Sequence, residues 1–302
     1  MTANNSVPEG LLPVLGSVAQ EQPHEMFLPE KRFEGPVHFE DGVDPASIQR
    51  WAVKIEYDGT GLVGWQKQSV GLSVQALLEK AATRMADGRR VTSITAGRTD
   101  SGVHATGQVA HLDFPADMSL APHRVRDGLG YHLKPHAISV LEAARVGPEW
   151  SARFSATWRS YRYRILNRPA RPALGASHMW HIRGTLDVER MQQAADYLIG
   201  AHDFTSFRAT ACQARSPFRS LDVLRIERHG EEVWVIAKAR SFLHHQVRNM
   251  VGTLSLVGLH RWSPERVATA LAACDRSAAG PTAPPEGLYL TGVGYDPDPF
   301  IE

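Results

Sequence analysis

Cysteine is nearly absent: only Cys212 and Cys274 occur in 302 residues. Two distant cysteines exclude a disulfide framework and a cysteine-rich zinc cluster, and they suit a reducing compartment. No run of eighteen apolar residues exists, so no membrane-spanning helix is expected. The N-terminus lacks a basic start followed by an apolar run, which argues against a secretory leader. Together these absences predict a cytoplasmic protein. The Pro-Cys-x-x-Cys that zinc base deaminases require beside His-x-Glu is also missing. A large net charge is lacking too, at +1 overall, but the distribution is uneven. Residues 1–50 carry eight acids against three bases, and 296–302 carry three acids and no base, which leaves +9 on 51–295. A basic body with acidic ends suits a polyanionic partner, and equally an ordinary solvated surface.

What is present reads as an α+β chain. Residues 1–46 are rich in Pro, Glu, Asp and Asn without a sustained period, and are expected to be a flexible extension. Trp51, Val53, Ile55 and Tyr57 alternate as a strand. Gly59-Thr60-Gly61-Leu62-Val63-Gly64 then spells a dinucleotide fingerprint. That fingerprint needs its glycines to open a helix directly. Here Trp65 to Gln68 intervene, the helical stripe Val74, Leu77, Leu78, Ala81, Ala82, Met85 starts only near Ser73, and Glu79 falls inside it. No nucleotide cofactor is therefore expected, and no glycine-rich entry of a methyltransferase.

Strands are predicted near 91–95, 108–114 and 138–146, with a short helix over 122–134. The second half repeats this loosely. Tyr161, Tyr163 and Ile165 alternate with Arg162 and Arg164. Asp187 is placed to cap a helix with Val188, Met191, Ala194, Ala195, Leu198 and Ile199 inward. Strands over 220–228 and 232–240 and a helix over 245–257 follow. Ser263-Pro264-Glu265 opens another helix, and Leu288 to Tyr295 closes the sheet. The economical organisation is an extension (1–46), one α+β half (51–150), a similar half (151–295) and an acidic tail (296–302).

The chain is organised around Gly97-Arg98-Thr99-Asp100-Ser101-Gly102-Val103-His104, a polar loop between apolar strands. Spacing alone admits two readings: an Asx turn with a solvent ion pair, or a carboxylate presented for catalysis. His244-His245 invites a metal reading, but adjacent residues on a helix do not face one site, so no metal is expected.

The motif Gly97-Arg98-Thr99-Asp100-x-Gly102-Val103-His104 resembles the active-site loop of the tRNA pseudouridine synthases that modify the anticodon stem-loop. Further similar stretches follow in order: Tyr57-Asp58-Gly59-Thr60 with Gly64-Trp65-Gln66, Arg153-Phe154-Ser155-Ala156, Tyr161-Arg162-Tyr163, Phe204-Thr205-Ser206-Phe207, Phe242-x-His244-His245-x-Val247-Arg248-Asn249-Met250-Val251-Gly252, and Glu286-Gly287-Leu288. The resemblance covers Trp51 to Tyr295. It departs at Gly130 to Ala137, where contacts known in the family cannot be carried over.

The resemblance implies the pseudouridine synthase fold, with two similar α+β halves, merged mainly antiparallel sheets and a central cleft. It implies cofactor-free isomerisation of uridine at tRNA positions 38–40 by a homodimer, with one tRNA spanning both subunits. Asp100 is the implied nucleophile, Tyr161 the tyrosine that stacks on the base and exchanges a proton, and Arg248 the cation beside Asp100. Arg98 helps hold the flipped-out nucleotide, and Leu288 forms the apolar wall under the base. Tyr163 is assigned to core. Arg162 and Arg164, with Arg168 and Arg171, form one candidate backbone track, and Arg84, Arg89 and Arg90 another. Other readings are a non-catalytic RNA-binding protein, or a synthase acting on different uridines.

Overall fold

The alternating residues from Trp51 to Tyr57 form the predicted strand, and pairing lengthens it: β1 spans Ile48–Tyr57. A computed structural model describes residues 44–301 of the chain. The extension expected over 1–46 lies outside the described residues except for its last three positions. There Asp44 Oδ1 accepts from the Ala46 N–H and opens one 3-10 turn, Pro45–Ser47, before β1.

Helix α1 (Val74–Met85) starts where its cap allows: Ser73 Oγ accepts from the Ala76 N–H at 3.2 Å. Its buried stripe is Val74, Leu77, Leu78, Ala81 and Ala82, and Met85, also predicted inward, is half-buried. Next come β2 (Thr92–Thr95), β3 (His104–Pro115), α2 (Pro122–Leu133) and β4 (Ile138–Val146). The second half contributes β5 (Trp158–Asn167), β6 (Trp180–Ile182), α3 (Val188–Asp196), β7 (Gly200–Asp203), β8 (Phe218–His229) and β9 (Glu232–Ala239). It ends with α4 (Gln246–Gly258), α5 (Glu265–Ala272) and β10 (Leu288–Gly294). Asp187 caps α3, accepting from the Arg190 N–H at 3.0 Å.

The strands form one sheet in the order β4-β1-β3-β10-β5-β9-β8-β7, with β2 on β3 and β6 on β5. Pairing is antiparallel except between β10 and β3 and between β5 and β6. The class is thus α+β with a mainly antiparallel sheet. Three details differ from the sequence reading. Helix α3 ends at Asp196, and Ile199, predicted inward, is exposed. The last strand does not close an edge: β10 lies mid-sheet, with Tyr289 opposite His104 on one side and Leu290 opposite Tyr161 on the other. Strands β6 and β7 were not expected, because Trp-His-Ile and Gly-Ala-His-Asp carry no period, and only pairing with β5 and β8 makes them strands.

One continuous apolar core joins α1 and α2, over β1 and β3, to α3 and α4, over β5 and β9. Tyr163 belongs to it, with its hydroxyl donating to Pro284 C=O at 2.7 Å. A smaller cluster holds Ala96, Val109, Ala152, Ala156 and Tyr295, against which Trp150 and Phe300 pack. Phe300 therefore fixes part of the expected acidic tail to the body.

Candidate active site

The loop from Gly97 to Val103 is held from three directions. The first is the glycine run after β1. A Cβ on Gly59 would overlap the Val103 carbonyl, and one on Gly64, at φ +96°, would overlap the Thr99 carbonyl. These glycines let two backbones touch, which is the physical content of the misleading fingerprint. Trp65 N–H donates to Thr99 C=O at 3.0 Å, and Ser101 Oγ to Leu62 C=O at 3.0 Å. Thr99 Oγ1 and the Tyr57 hydroxyl lie 2.7 Å apart, and Gln108 Nε2 donates to Gly97 C=O at 2.8 Å.

The second support is Arg159 on β5, which sequence reasoning missed. Its guanidinium donates to the carbonyls of Ala96 (2.9 Å and 3.3 Å), Arg153 (2.6 Å), Arg240 (2.6 Å) and Ala156 (3.3 Å). Arg159 is buried. An arginine on the Tyr161-Tyr163-Ile165 side of an alternating strand was the signal that could have found it.

The third support is His104, at the start of β3. Its Nδ1 accepts from the Gly59 N–H at 3.0 Å, so its Nε2 carries the proton and donates to Ser177 C=O at 3.0 Å. Burial, against the pull of Asp58, holds its pKa below the ordinary value. The ring stacks between His178 and Tyr289, at 5.0 Å and 4.7 Å. His178 Nε2 in turn meets Asp58 Oδ2 at 3.1 Å.

Asp100 stands on this platform with its side chain 23% exposed. Arg248, from the first turn of α4, reaches its Oδ2 at 2.8 Å and donates Nε–H to Ala283 C=O at 2.8 Å. Tyr161 lies alongside, its hydroxyl next to Gly97 and its ring edge-on to Phe242 at 5.1 Å. Burial pushes its pKa up, so the phenol keeps its proton at neutral pH. Leu288 is buried on the same sheet face, opposite Tyr163, and the Pro285 ring beside it abuts Gly102. Arg98 is exposed next to Asp100.

The structure does not bring Arg162 and Arg164 to this group. They leave β5 on the opposite face, because strand side chains alternate. Arg162 lies over the Trp234 ring at 4.2 Å, and Arg164 pairs with Glu232 at 2.7 Å. Arg168 pairs with Glu231 and Arg89 with Asp117. Arg162 and Arg164, expected to track a nucleic-acid backbone, thus lie on the sheet face opposite Tyr161, apart from Asp100.

The reading of His244 and His245 is corrected. Both precede α4, and His245 takes φ +62°, so helical spacing does not govern them. His244 Nε2 lies 3.3 Å from Asp100 Oδ1 and His245 Nε2 3.2 Å from Oδ2. Asp100 with these two imidazoles, and Asp58 with His104 and His178, are the two groupings of metal-ligand type among the described residues. Neither is suited to a cation. The Arg248 guanidinium already occupies Asp100 Oδ2, and both ring nitrogens of His104 are engaged.

The site thus brings together a solvent-reachable carboxylate, its arginine partner and a phenol that keeps its proton. The α+β scaffold around it is the two-lobed pseudouridine synthase fold. Comparison with known proteins agrees: a model of the tRNA pseudouridine synthase family matches residues 53–155 and 194–296. The tRNA pseudouridine synthase A of Gluconobacter oxydans is 63% identical over 261 residues, covering 86% of this chain and 95% of its own. That of Acidiphilium cryptum is 59% identical over 254 residues, covering 84% and 99%. That of Rhodospirillum centenum is 53% identical over 248 residues, covering 82% and 100%. The chain belongs to the tRNA pseudouridine synthase family.

Proposed function

We propose that this enzyme isomerises uridine to pseudouridine in tRNA, at positions 38–40 of the anticodon stem-loop, without metal or nucleotide cofactor. The observation that carries the reading is the Asp100 carboxylate held at 2.8 Å by Arg248 beside Tyr161, within the loop that bears the family motif. Binding alone would need no such carboxylate, which disfavours a purely RNA-binding role.

The target base must leave its stack to reach Asp100. Arg98, exposed at the mouth, is suited to hold the displaced nucleotide by its backbone. Asp100, ion-paired to Arg248, is the nucleophile, and attack at C1′ or at C6 are both consistent with its position. The N1–C1′ bond breaks, its electron pair leaving with the uracil. The base turns between the Tyr161 ring and Leu288, C5 bonds to C1′, and the bond that Asp100 had formed, at C1′ or at C6, breaks with its electron pair returning to the carboxylate. C5 then loses its proton and N1 gains one, so the sum is an isomerisation. Tyr161 is the hydroxyl placed to exchange that proton.

The basic body serves the phosphate backbone. The assembly that fits is a homodimer in the cytoplasm, with one tRNA spanning both subunits. Among the described residues no helix is long and apolar enough to cross a membrane. A second reading keeps the chemistry and changes the target. Gly130 to Ala137, where the family pattern breaks, forms the end of α2 and the turn after it, with Tyr131 71% exposed. Mapping pseudouridine in total tRNA from cells with and without the gene tests both. Loss confined to positions 38–40 supports the first, loss elsewhere the second, and no loss refutes both.

A further inference from the structure

The proposed chemistry leaves His244 and His245 without a task, yet the fold places them with care. Leu243 N–H is held by Gln246 Oε1 at 2.8 Å, and His244 C=O accepts from the Ala209 N–H at 2.9 Å. His245 C=O accepts from the Asn249 N–H at 2.8 Å. Between these anchors His245 adopts a left-handed backbone, which costs a residue with a side chain free energy. The result is two imidazoles, ring centroids 4.0 Å apart, each within 3.3 Å of one oxygen of Asp100.

We propose that His244 and His245 are positioning residues that act through Asp100: neutral, they leave the carboxylate to Arg248, and protonated, they clamp it and draw off its nucleophilicity. They, rather than the carboxylate, then set the acid limit of catalysis. The inference rests on the reading of Asp100 as nucleophile. An ordinary aspartate stays ionised down to about pH 4, whereas an imidazole gains its proton near pH 6.5. A limb set by an imidazole is therefore distinguishable from one set by an ordinary carboxylate. The charged groups facing His245 are Asp100, His244, Arg248 and Arg276. Burial first, and then the neighbouring cations, hold its pKa below the ordinary value against the pull of Asp100. At neutral pH its ring is uncharged and Asp100 is free to attack.

The test is the pH profile of single-turnover pseudouridine formation from pH 5 to 8. It is measured for the full-length protein, for His244→Gln, for His245→Asn and for the double variant. Asparagine tolerates the left-handed backbone at position 245. The unsubstituted enzyme should lose about tenfold in rate for each pH unit below the imidazole midpoint. The double variant should carry that limb at least about one unit toward acid. A limb that stays in place while the rate drops equally at every pH would overturn the proposal, because a structural role gives that pattern. A second measurement needs no histidine substitution: NMR titration of both imidazoles in the native protein and in Asp100→Asn. Removing the carboxylate should lower both midpoints, and unmoved midpoints would also overturn the proposal. The two readings fail separately. An active Asp100→Asn protein refutes the nucleophile, whereas an inactive one with an unmoved limb in the histidine variants refutes only the histidine assignment.

Discussion

Replacing Arg159 by methionine keeps most of the apolar stem and removes every donor. The loss is five hydrogen bonds to four main-chain carbonyls, two of the bonds being to Ala96, which leads into Gly97 and the loop that carries Asp100. A buried carbonyl left without its partner costs about 1–3 kcal/mol. Two effects offset part of the sum. Burial lowers the pKa of Arg159, so the charged guanidinium is itself held at a desolvation cost that methionine does not carry. Water can also reach some of the freed carbonyls. The net expectation is a destabilisation of about 2–4 kcal/mol, within the range for broken buried networks. For a chain of this size that corresponds to a fall in Tm of roughly 5–10 °C. Catalysis should suffer beyond stability, because the Ala96 carbonyl anchors the start of the loop that carries Asp100. At a temperature where the variant is fully folded, single-turnover formation of pseudouridine should drop at least about tenfold, as misplacing a reacting group does. The affinity for tRNA at fixed salt should stay within about twofold, since Arg159 is buried away from phosphates. Arg159→Lys should fall between the two, since a single ammonium cannot span four carbonyls. Wild-type turnover together with an unshifted melt in Arg159→Met would refute the argument that this residue props the loop.

Asp100→Asn should reduce product formation to background while tRNA binding and the melt survive, and activity near wild type would sink the mechanism. Tyr161→Phe keeps the ring and should bind tRNA normally but slow product formation, measured in the same single-turnover assay. At Gly107 in β3 a Cβ would overlap the Thr291 carbonyl of β10, so Gly107→Ala should cost about 1–3 kcal/mol in denaturant unfolding, as overpacking does. His111 gives a pH dependence: burial, then Arg50, pushes its pKa down to about 3. An unfolded chain takes that proton near 6.5, so between the two values the unfolded state binds more protons, and stability falls as pH drops, by up to about 1.4 kcal/mol per unit. His111→Gln should flatten the slope of unfolding free energy between pH 7 and 5, and an unchanged slope would assign the acid sensitivity elsewhere.

Much of this fold was legible because its signals are local. Ser73 and Asp187 cap helices by bonds to residues three positions on, and the Tyr161-Tyr163-Ile165 alternation is visible without a partner. The motifs named Asp100, Tyr161 and Arg248, and the fold places these three together. The misses arise where a neighbour decides. β6 and β7 have no period of their own. Arg159 was passed over because its partners, four main-chain carbonyls, come together only in the fold. His244 and His245 were dismissed on helical spacing, and one left-handed residue, invisible in the sequence, cancels that premise.

The same left-handed turn and the mid-sheet position of β10 explain why the site lies where it does. Asp100 belongs to the loop between β2 and β3, whereas its ion partner Arg248 comes from α4 and its support Arg159 from β5. Those pieces meet only if the two sets of strands share a sheet. The join is the parallel pairing of β10 with β3, and its register places Tyr289 opposite His104 and Leu290 opposite Ala105. His104 is also the residue that ends the Asp100 loop and ties it to Gly59 and Ser177. The join and the loop are thus pinned at one residue. A change that loosens this seam, such as a Cβ at Gly107, acts on the distance between Asp100 and Arg248 while leaving the apolar packing under β1 or β9 in place. Catalysis should therefore be the first property lost when the seam is strained, and cooperative unfolding the second.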